Sequence, residues 1–413
     1  MTAAFDTVVM KFGGSSVADP EKIRLVARRF VEARRRGLNV VGTVSAMGKT
    51  TDSLLALASD VSPSPNPREL DMLLSTGERI ACALVAMAIG DLGEEAVSYT
   101  GSQAGILTDS THTRAKIREI RGDRIRASLA QGKIVLVAGF QGFSRDTMEI
   151  TTLGRGAGDL TAVALAATLG AACEIHSDVA GVFTADPRLV PGARKIPSIS
   201  YDEMLEMASS GAKVLALRSV ELARNHAVRI HARSTFTDEE GTWVQETGME
   251  KAIISAVTHS ETDVVFTLTG IPDRPGVAAR IFEGVASAQV NVDTIIQNVV
   301  HGRAEMSFSV PAEDAGSTRD AITNLQEELG AFDVEVNREL GKVSLIGAGM
   351  RSHPGVAATM FRTLADLGIN LEMISTSPIK ISCMIDRDRI PEAVRALHAA
   401  FQLERPPEVE PTM

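Results

Sequence analysis

An α/β domain with a mostly parallel sheet between helices, followed by two α+β ferredoxin-like units, is the fold class predicted by this 413-residue sequence. Three observations carry that prediction. The N-terminal part alternates short apolar runs with amphipathic helices and places glycine loops at strand ends, the pattern of parallel sheets. The C-terminal third repeats itself: Pro275-Gly276-Val277-Ala278-Ala279 returns as Pro354-Gly355-Val356-Ala357-Ala358. At the same offset Phe282 matches Phe361, Asn291 matches Asn370 and Ile295 matches Ile374. Finally, 44% hydrophobic and 23% charged residues supply apolar surface for more than one core, as two or three domains of roughly 150 residues require.

Taken in order, Thr7–Met10 is the first strand and delivers Lys11-Phe12-Gly13-Gly14-Ser15-Ser16 at its end. Asp19 as N-cap and Pro20 at the first helical position open a helix in which Ile23, Val26, Ala27, Phe30 and Val31 share one face. It stops before Gly37, and Val40-Val41 begins a second strand leading to Ser45-Ala46-Met47-Gly48-Lys49-Thr50. Ser62–Pro67 reads as a loop, Ile80–Ile89 as a buried helix and Ile134–Val137 as a fully buried strand. Ala162–Leu169 is an alanine-rich helix, and Cys173–Ile175 and Val228–His231 are further strands. The polar run Thr237–Gly241 predicts a boundary between about 237 and 250, giving domains at 1–237 and 250–413. In each repeat a strand ends in glycine, a Pro-Gly loop enters a helix, and a second strand follows the matched asparagine. Two such units suggest paired sheets with a ligand site between them.

Composition excludes several functions. A net charge of −10 repels phosphate backbones, and one Trp with two Tyr offers few stacking surfaces for single-stranded nucleic acid. Cys82, Cys173 and Cys383 lie far apart, without zinc or redox spacing, which suits a reducing cytoplasm. No basic-then-apolar leader opens the chain, and no uninterrupted apolar run approaches the ~18 residues of a membrane span. The eight histidines lack metal-ligand spacing, and there is no Gly-x-Ser-x-Gly elbow. Gly48-Lys49-Thr50 resembles the end of a P-loop, but Thr43 stands where the earlier glycine is needed. Gly154–Gly158 and Gly347–Gly349 lack the third glycine of a dinucleotide fingerprint.

Three clusters remain. Lys11 with Gly13 and Gly14 lets backbone N–H groups and a point charge approach a phosphate, although the same glycines suit a tight turn. Thr151-Thr152-Leu153-Gly154-Arg155-Gly156-Ala157-Gly158-Asp159 places Arg155 and Asp159 at a helix start, where the arginine can hold a carboxylate and the aspartate a lysine or Mg²⁺. A simple N-cap role for Asp159 stays open. Ser75-Thr76-Gly77-Glu78-Arg79 puts Glu78 near the start of an apolar helix, either facing a substrate ammonium or complementing the helix dipole.

Together these segments resemble the aspartokinase branch of the amino-acid kinase family. The resemblance continues through Val44–Asp52, Leu73–Arg79, Tyr99–Gly105, Gly139–Phe143 and Thr184–Arg188, and the repeat resembles that family's two ACT domains. It implies ACT units at about 262–336 and 340–404, one embedded in the other, with 250–260 (Ile253–Val257) lending a strand to the second. It further implies ATP-dependent phosphorylation of the β-carboxylate of L-aspartate, opening lysine, threonine and methionine synthesis, with ATP carried as its Mg²⁺ complex. Lys11 would stabilise the transferring phosphoryl, with Gly13 and Gly14 along the ATP phosphates. Asp159 would orient Lys11 or organise Mg²⁺. Ser45, Glu78 and Arg155 would hold aspartate. Ser177, Asp178, Phe183, Arg188 and Lys213 would line the nucleotide. Threonine and lysine would bind near Asp273, Asn291, Val292, Asp293, Gln297, Asn370, Leu371 and Ser377.

Departures from the family pattern are also legible. Ala157-Gly158 replaces Gly-Ser, Ser177 replaces Thr, Ala180 replaces Asp and Ala216-Leu217 replaces His-Pro. Two alternatives follow: a kinase of an aspartate analogue, or a non-catalytic amino-acid sensor. On the regulatory side, Ala304-Glu305 replaces Thr-Asp after a short Val299–Arg303 loop, and Pro378 replaces Glu. Feedback by lysine plus threonine is therefore expected to be weakened, absent or redirected. The ACT edges predict at least a homodimer, or an α2β2 assembly if Met249 opens a shorter subunit.

Overall fold

The computed structural model describes residues 6–154, 156–246, 253–300, 302–330, 332–350 and 353–406. The chain divides into two compact units. The first holds 1–182, 195–205 and 213–247, and the second holds 183–194, 206–212 and 248–413.

The first unit is built on an eight-stranded sheet whose spatial order is Ser198–Ile199, Thr242–Val244, Ile230–Ser234, Ala172–Ser177, Thr7–Phe12, Asn39–Val44, Ile134–Ala138 and Ala96–Tyr99. The six strands from Ile230–Ser234 to Ala96–Tyr99 pair in parallel, and Thr242–Val244 turns antiparallel onto Ile230–Ser234. Ile134–Ala138 is buried at every position, which is why it reads as an unbroken apolar run. The helix Pro20–Arg35 starts as its sequence dictates: Asp19 accepts the N–H of Lys22 and Pro20 occupies the first turn. Its Phe30 lies so close to the second strand that a Cβ on Gly42 would sit 2.5 Å from the ring. A smaller sheet of Ile117–Ile120, Ile106–Thr108, Gln141–Ser144 and Glu149–Thr152 completes this unit.

Three local readings change. The alanine-rich helix begins five residues early, as Ala157–Leu169, because the glycine loop itself forms the first turn. The strand expected from Val228 starts at Ile230, because Ala227 takes a left-handed φ of 52° leaving the helix Leu217–Asn225. Ile80–Ile89 lies in the helix Thr76–Asp91 but is not buried all round: Cys82, Val85 and Ile89 face the core while Ile80, Leu84 and Met87 are exposed. The stretch Pro67–Asp91 is long and apolar enough by composition to cross a membrane. It is nevertheless two helices meeting at Ser75, with one face of each in the core.

The second unit contains two four-stranded antiparallel sheets. One orders Ile295–Val300, Arg303–Pro311, Asp263–Pro272 and Asp333–Asn337, packed against the helices Val277–Ser287 and Ala315–Leu329. The other orders Ala256–Ser260, Leu340–Ile346, Lys380–Asp386 and Met373–Ser377, with Val356–Asp366 and Ile390–Ala400. Ala256–Ser260 pairs with Leu340–Ile346, so the whole first module is inserted between two neighbouring strands of the second. That strand runs three residues beyond the expected Ile253–Val257. The repeat is expressed in matching helix starts: Gly276 and Gly355 are both left-handed N-caps, with φ of 93° and 107°.

Candidate functional site

The strands Thr7–Phe12 and Asn39–Val44 end side by side, and the crevice in which open parallel sheets usually bind ligands lies outside such carboxyl ends. Ser45 donates its N–H to the Phe12 carbonyl (3.0 Å) and Gly48 to that of Gly14 (3.0 Å), laying segment 45–48 along segment 12–14. The approach requires glycine, since a Cβ on Gly14 would sit 2.9 Å from the Ala46 carbonyl oxygen.

Two helix N-termini close the crevice. From Ala157–Leu169, Asp159 pairs through Oδ1 with Lys11 Nζ at 2.5 Å, and its Oδ2 accepts the N–H of Ala216 at 3.4 Å. Asp159 is not the N-cap; Gly156 is, at φ 73°. A Cβ on Gly158 would lie 3.3 Å from both Lys11 Cε and Ser45 Oγ, so three sequence-selected segments meet at that glycine. The second helix, Thr76–Asp91, brings Glu78 beneath the second strand's end. Glu78 Oε1 accepts the N–H of Ala46 at 3.1 Å, and Gly77 packs against the Ala46 side chain. Glu78 Oε2 is buried with no hydrogen-bond partner among the described residues. Burial pushes this carboxyl up to about 7. The site thus joins an anion-binding end of lysine, glycines and helix N-termini to a buried carboxylate with one oxygen left for a cation.

The remaining candidates are less closely gathered. Ser177 ends the strand beside Thr7–Phe12, its hydroxyl engaged with the Val179 N–H at 3.3 Å, and Asp178 next to it is exposed. Lys213 is exposed. Phe183 is half-buried and Arg188 exposed, in the segment grouped with the second unit, where Arg188 is paired with Asp186 at 2.6 Å. Arg155 and Met249 lie outside the described residues.

In the second unit Asp273, Asn291, Gln297 and Asn370 are exposed, and Val292 and Leu371 half-buried. Asn370 donates to Glu372 at 2.7 Å, and Ser377 Oγ to Glu206 at 3.3 Å. Asp293 is held at 2.5 Å by Lys342, a fully buried lysine on the other module's strand. Sequence reading missed Lys342, which looks like the polar position of an alternating strand. It also missed Asp71, whose one signal was a carboxylate set among Leu70, Met72, Leu73 and Leu74.

Comparison with known proteins follows the same division. The amino acid kinase family matches residues 6–234, and ACT domains match residues 265–330 and 343–401. The chain is 52% identical to an aspartokinase of Mycolicibacterium smegmatis, over 96% of each chain. It is 45% identical to an aspartate kinase of Pseudomonas putida, over 97% of this chain and 98% of that one. Its fold resembles the crystal structure of E. coli aspartokinase III in complex with aspartate and ADP, with a TM-score of 0.83 at 24% identity, covering 95% and 99% of the two chains.

Proposed function

The chain belongs to the aspartokinase branch of the amino acid kinase family, and from that premise we propose how its residues carry the reaction. It is an ATP-dependent kinase that phosphorylates L-aspartate on the β-carboxylate, with allosteric regulation through its ACT domains. The single observation that carries the site assignment is the meeting of Lys11, Ser45, Gly158 and Asp159 within the crevice that also holds Glu78.

Lys11 neutralises the γ-phosphoryl as it transfers, and Asp159 keeps its ammonium at the strand end through their ion pair. Gly13 and Gly14 present backbone toward the ATP phosphates, while Ser177, Asp178, Phe183, Arg188 and Lys213 serve the nucleotide. Ser45 and Arg155 hold the acceptor's carboxylates, and the free oxygen of Glu78 takes its ammonium. No general base is needed, because a carboxylate with a reference pKa of about 3.9 is already ionised at neutral pH. The work is to place two anions in line against their repulsion.

A divalent ion, in our reading Mg²⁺, fits a site where phosphate oxygens and water supply most ligands. Among the described residues no group of three or more His, Cys, Asp or Glu could hold a metal, and Asp159 is the carboxylate paired with Lys11. When bound, the ion offsets phosphate charge. Location in the cytoplasm is supported by three free, buried cysteines. Exposed Ile295 and Val299 on one sheet-edge strand and Ile374 on the other support pairing between copies, at least as a homodimer. Lysine or threonine remains the expected effector, with affinity reduced by Pro378.

The test is formation of hydroxylamine-trappable acyl phosphate from MgATP and a panel of aspartate and its analogues. Aspartate should give the highest kcat/KM, and no product above a Lys11→Ala control would overturn the assignment. A higher kcat/KM for an analogue would instead favour the reading drawn from Ala157-Gly158.

A further inference from the structure

The helix Pro67–Leu74 carries a carboxylate for which the reaction above has no use. Asp71 is wholly buried, and burying a charged group is costly unless hydrogen-bond donors surround it. It has them. His112 Nδ1 lies 2.7 Å from Oδ2, the Thr113 N–H donates to both oxygens at 3.1 and 3.2 Å, and Thr152 Oγ1 donates to Oδ1 at 2.5 Å. On the outer side His112 Nε2 is 3.3 Å from Glu149, which in turn accepts from Arg68 at 3.2 Å.

These donors are not scattered. Thr113 is a non-glycine residue with a left-handed φ of 65°, a conformation L-residues adopt only when something holds them there. Thr152 is the last residue of the strand Glu149–Thr152 and runs directly into Leu153 and Gly154. The two segments are also tied to each other. Ala115 donates to the Thr152 carbonyl at 2.9 Å, and Arg218 spans the Leu153 and Ala115 carbonyls at 2.7 and 3.2 Å. A Cβ on Gly154 would come within 3.4 Å of the Thr113 carbonyl oxygen. Asp71 is therefore the point at which the segments 113–115 and 152–154 converge.

We propose that Asp71, acting through Thr113 and Thr152, is a positioning residue for Leu153 and Gly154 and so sets the affinity for the acceptor aspartate without taking part in phosphoryl transfer. The inference rests on the reading that Arg155, the next residue in the chain, holds an acceptor carboxylate. Charge-assisted donors around a buried carboxylate form a stiff joint, and misplacing a substrate-holding group by about 1 Å costs on the order of a hundredfold. Asn at position 71 presents N–H where a donor now points, breaking at least one of these contacts. Valine at 152 keeps the shape of threonine but removes a single donor.

The experiment compares steady-state kinetics of wild type, Asp71→Asn and Thr152→Val, varying aspartate and MgATP separately, with thermal unfolding recorded for each. Asp71→Asn should raise KM for aspartate about tenfold or more and Thr152→Val about threefold, with KM for ATP and kcat little changed. If Asp71→Asn does not fold, Thr152→Val decides. An aspartate KM within twofold of wild type in a folded variant overturns the proposal. So does an equal rise in both KM values, or a fall in kcat alone, because a purely structural carboxylate has no reason to single out the acceptor. A wild type that does not phosphorylate aspartate overturns the functional reading and this inference together; an active wild type with unmoved variants removes the inference alone.

Discussion

Each of the two units sets a lysine against carboxylate, and the two lysines differ in how far solvent reaches them. Lys11 meets Asp159 with 13% of its side chain still exposed, at a strand end ringed by glycines. Lys342 is 2% exposed, on a strand buried at every position, between Asp293 at 2.5 Å and Asp263 at 3.6 Å, with the Ser209 carbonyl at 3.4 Å. The chemistry of the pairs is alike; access differs. A charge pair that keeps some exposure beside glycine backbone can receive an anion. The buried ammonium of Lys342 ties together the two modules and segment 206–212 of its own unit, and its loss leaves Asp263, the more covered of the two carboxylates, without a counter-charge.

The largest contrast follows from removing each ammonium. Lys11→Met should lower kcat by about a thousandfold or more while the protein stays folded, as acyl-phosphate trapping and circular dichroism together would show. Lys342→Met should instead destabilise the second unit by about 3–5 kcal/mol, read as loss of hydrogen-exchange protection in 340–346, with the isolated chemistry of the first unit spared. If Lys342→Met abolished catalysis without loss of protection, the division of roles would be wrong.

A smaller effect is expected at Glu78. Glu78→Gln removes the negative charge offered to the acceptor ammonium and should raise KM for aspartate about tenfold to a hundredfold, leaving KM for ATP within about twofold. The substitution should also increase stability at pH 8. Burial raises this carboxyl to about 7, so between about 4.5 and 7 the unfolded chain ionises it while the folded form stays neutral; stability falls across that window, and the full cost is present above 7. A shift from 4.5 to about 7 corresponds to up to ~3 kcal/mol, measurable as a higher Tm for the variant at pH 8 than at pH 5.5 relative to wild type. The smallest effect lies in the second unit. Pro378→Glu restores an acidic partner next to Ser377 and should tighten threonine or lysine binding by about tenfold in calorimetry.

The same contrast explains what could be read in the sequence. Lys11, Gly13, Gly14, Glu78 and Asp159 stand in short glycine-bearing motifs that single them out in the sequence, and the repeat announced itself through Pro-Gly-Val-Ala-Ala. Lys342 and Asp71 could not be found that way. Each stands in an apolar run, and its meaning comes only from partners far away in the chain: Asp293 and Asp263 for one, His112, Thr113 and Thr152 for the other. Element edges moved for a related reason. Ala227 turns left-handed and the glycine loop at 156 coils into a helix start, and neither event leaves a trace in hydrophobic periodicity.

The most direct test of the account is the pH dependence of kcat/KM for aspartate between pH 5.5 and 8.5, in wild type and Glu78→Gln. An ionised Glu78 is needed to take the acceptor ammonium, and burial raises its carboxyl to about 7. Wild-type kcat/KM should therefore rise by close to tenfold per pH unit below 7 and level off above it, while Glu78→Gln should be low and flat across the range. A wild-type profile that is flat from 5.5 to 8.5, or a variant that keeps the rise, would contradict the placing of Glu78 at the acceptor end of the site.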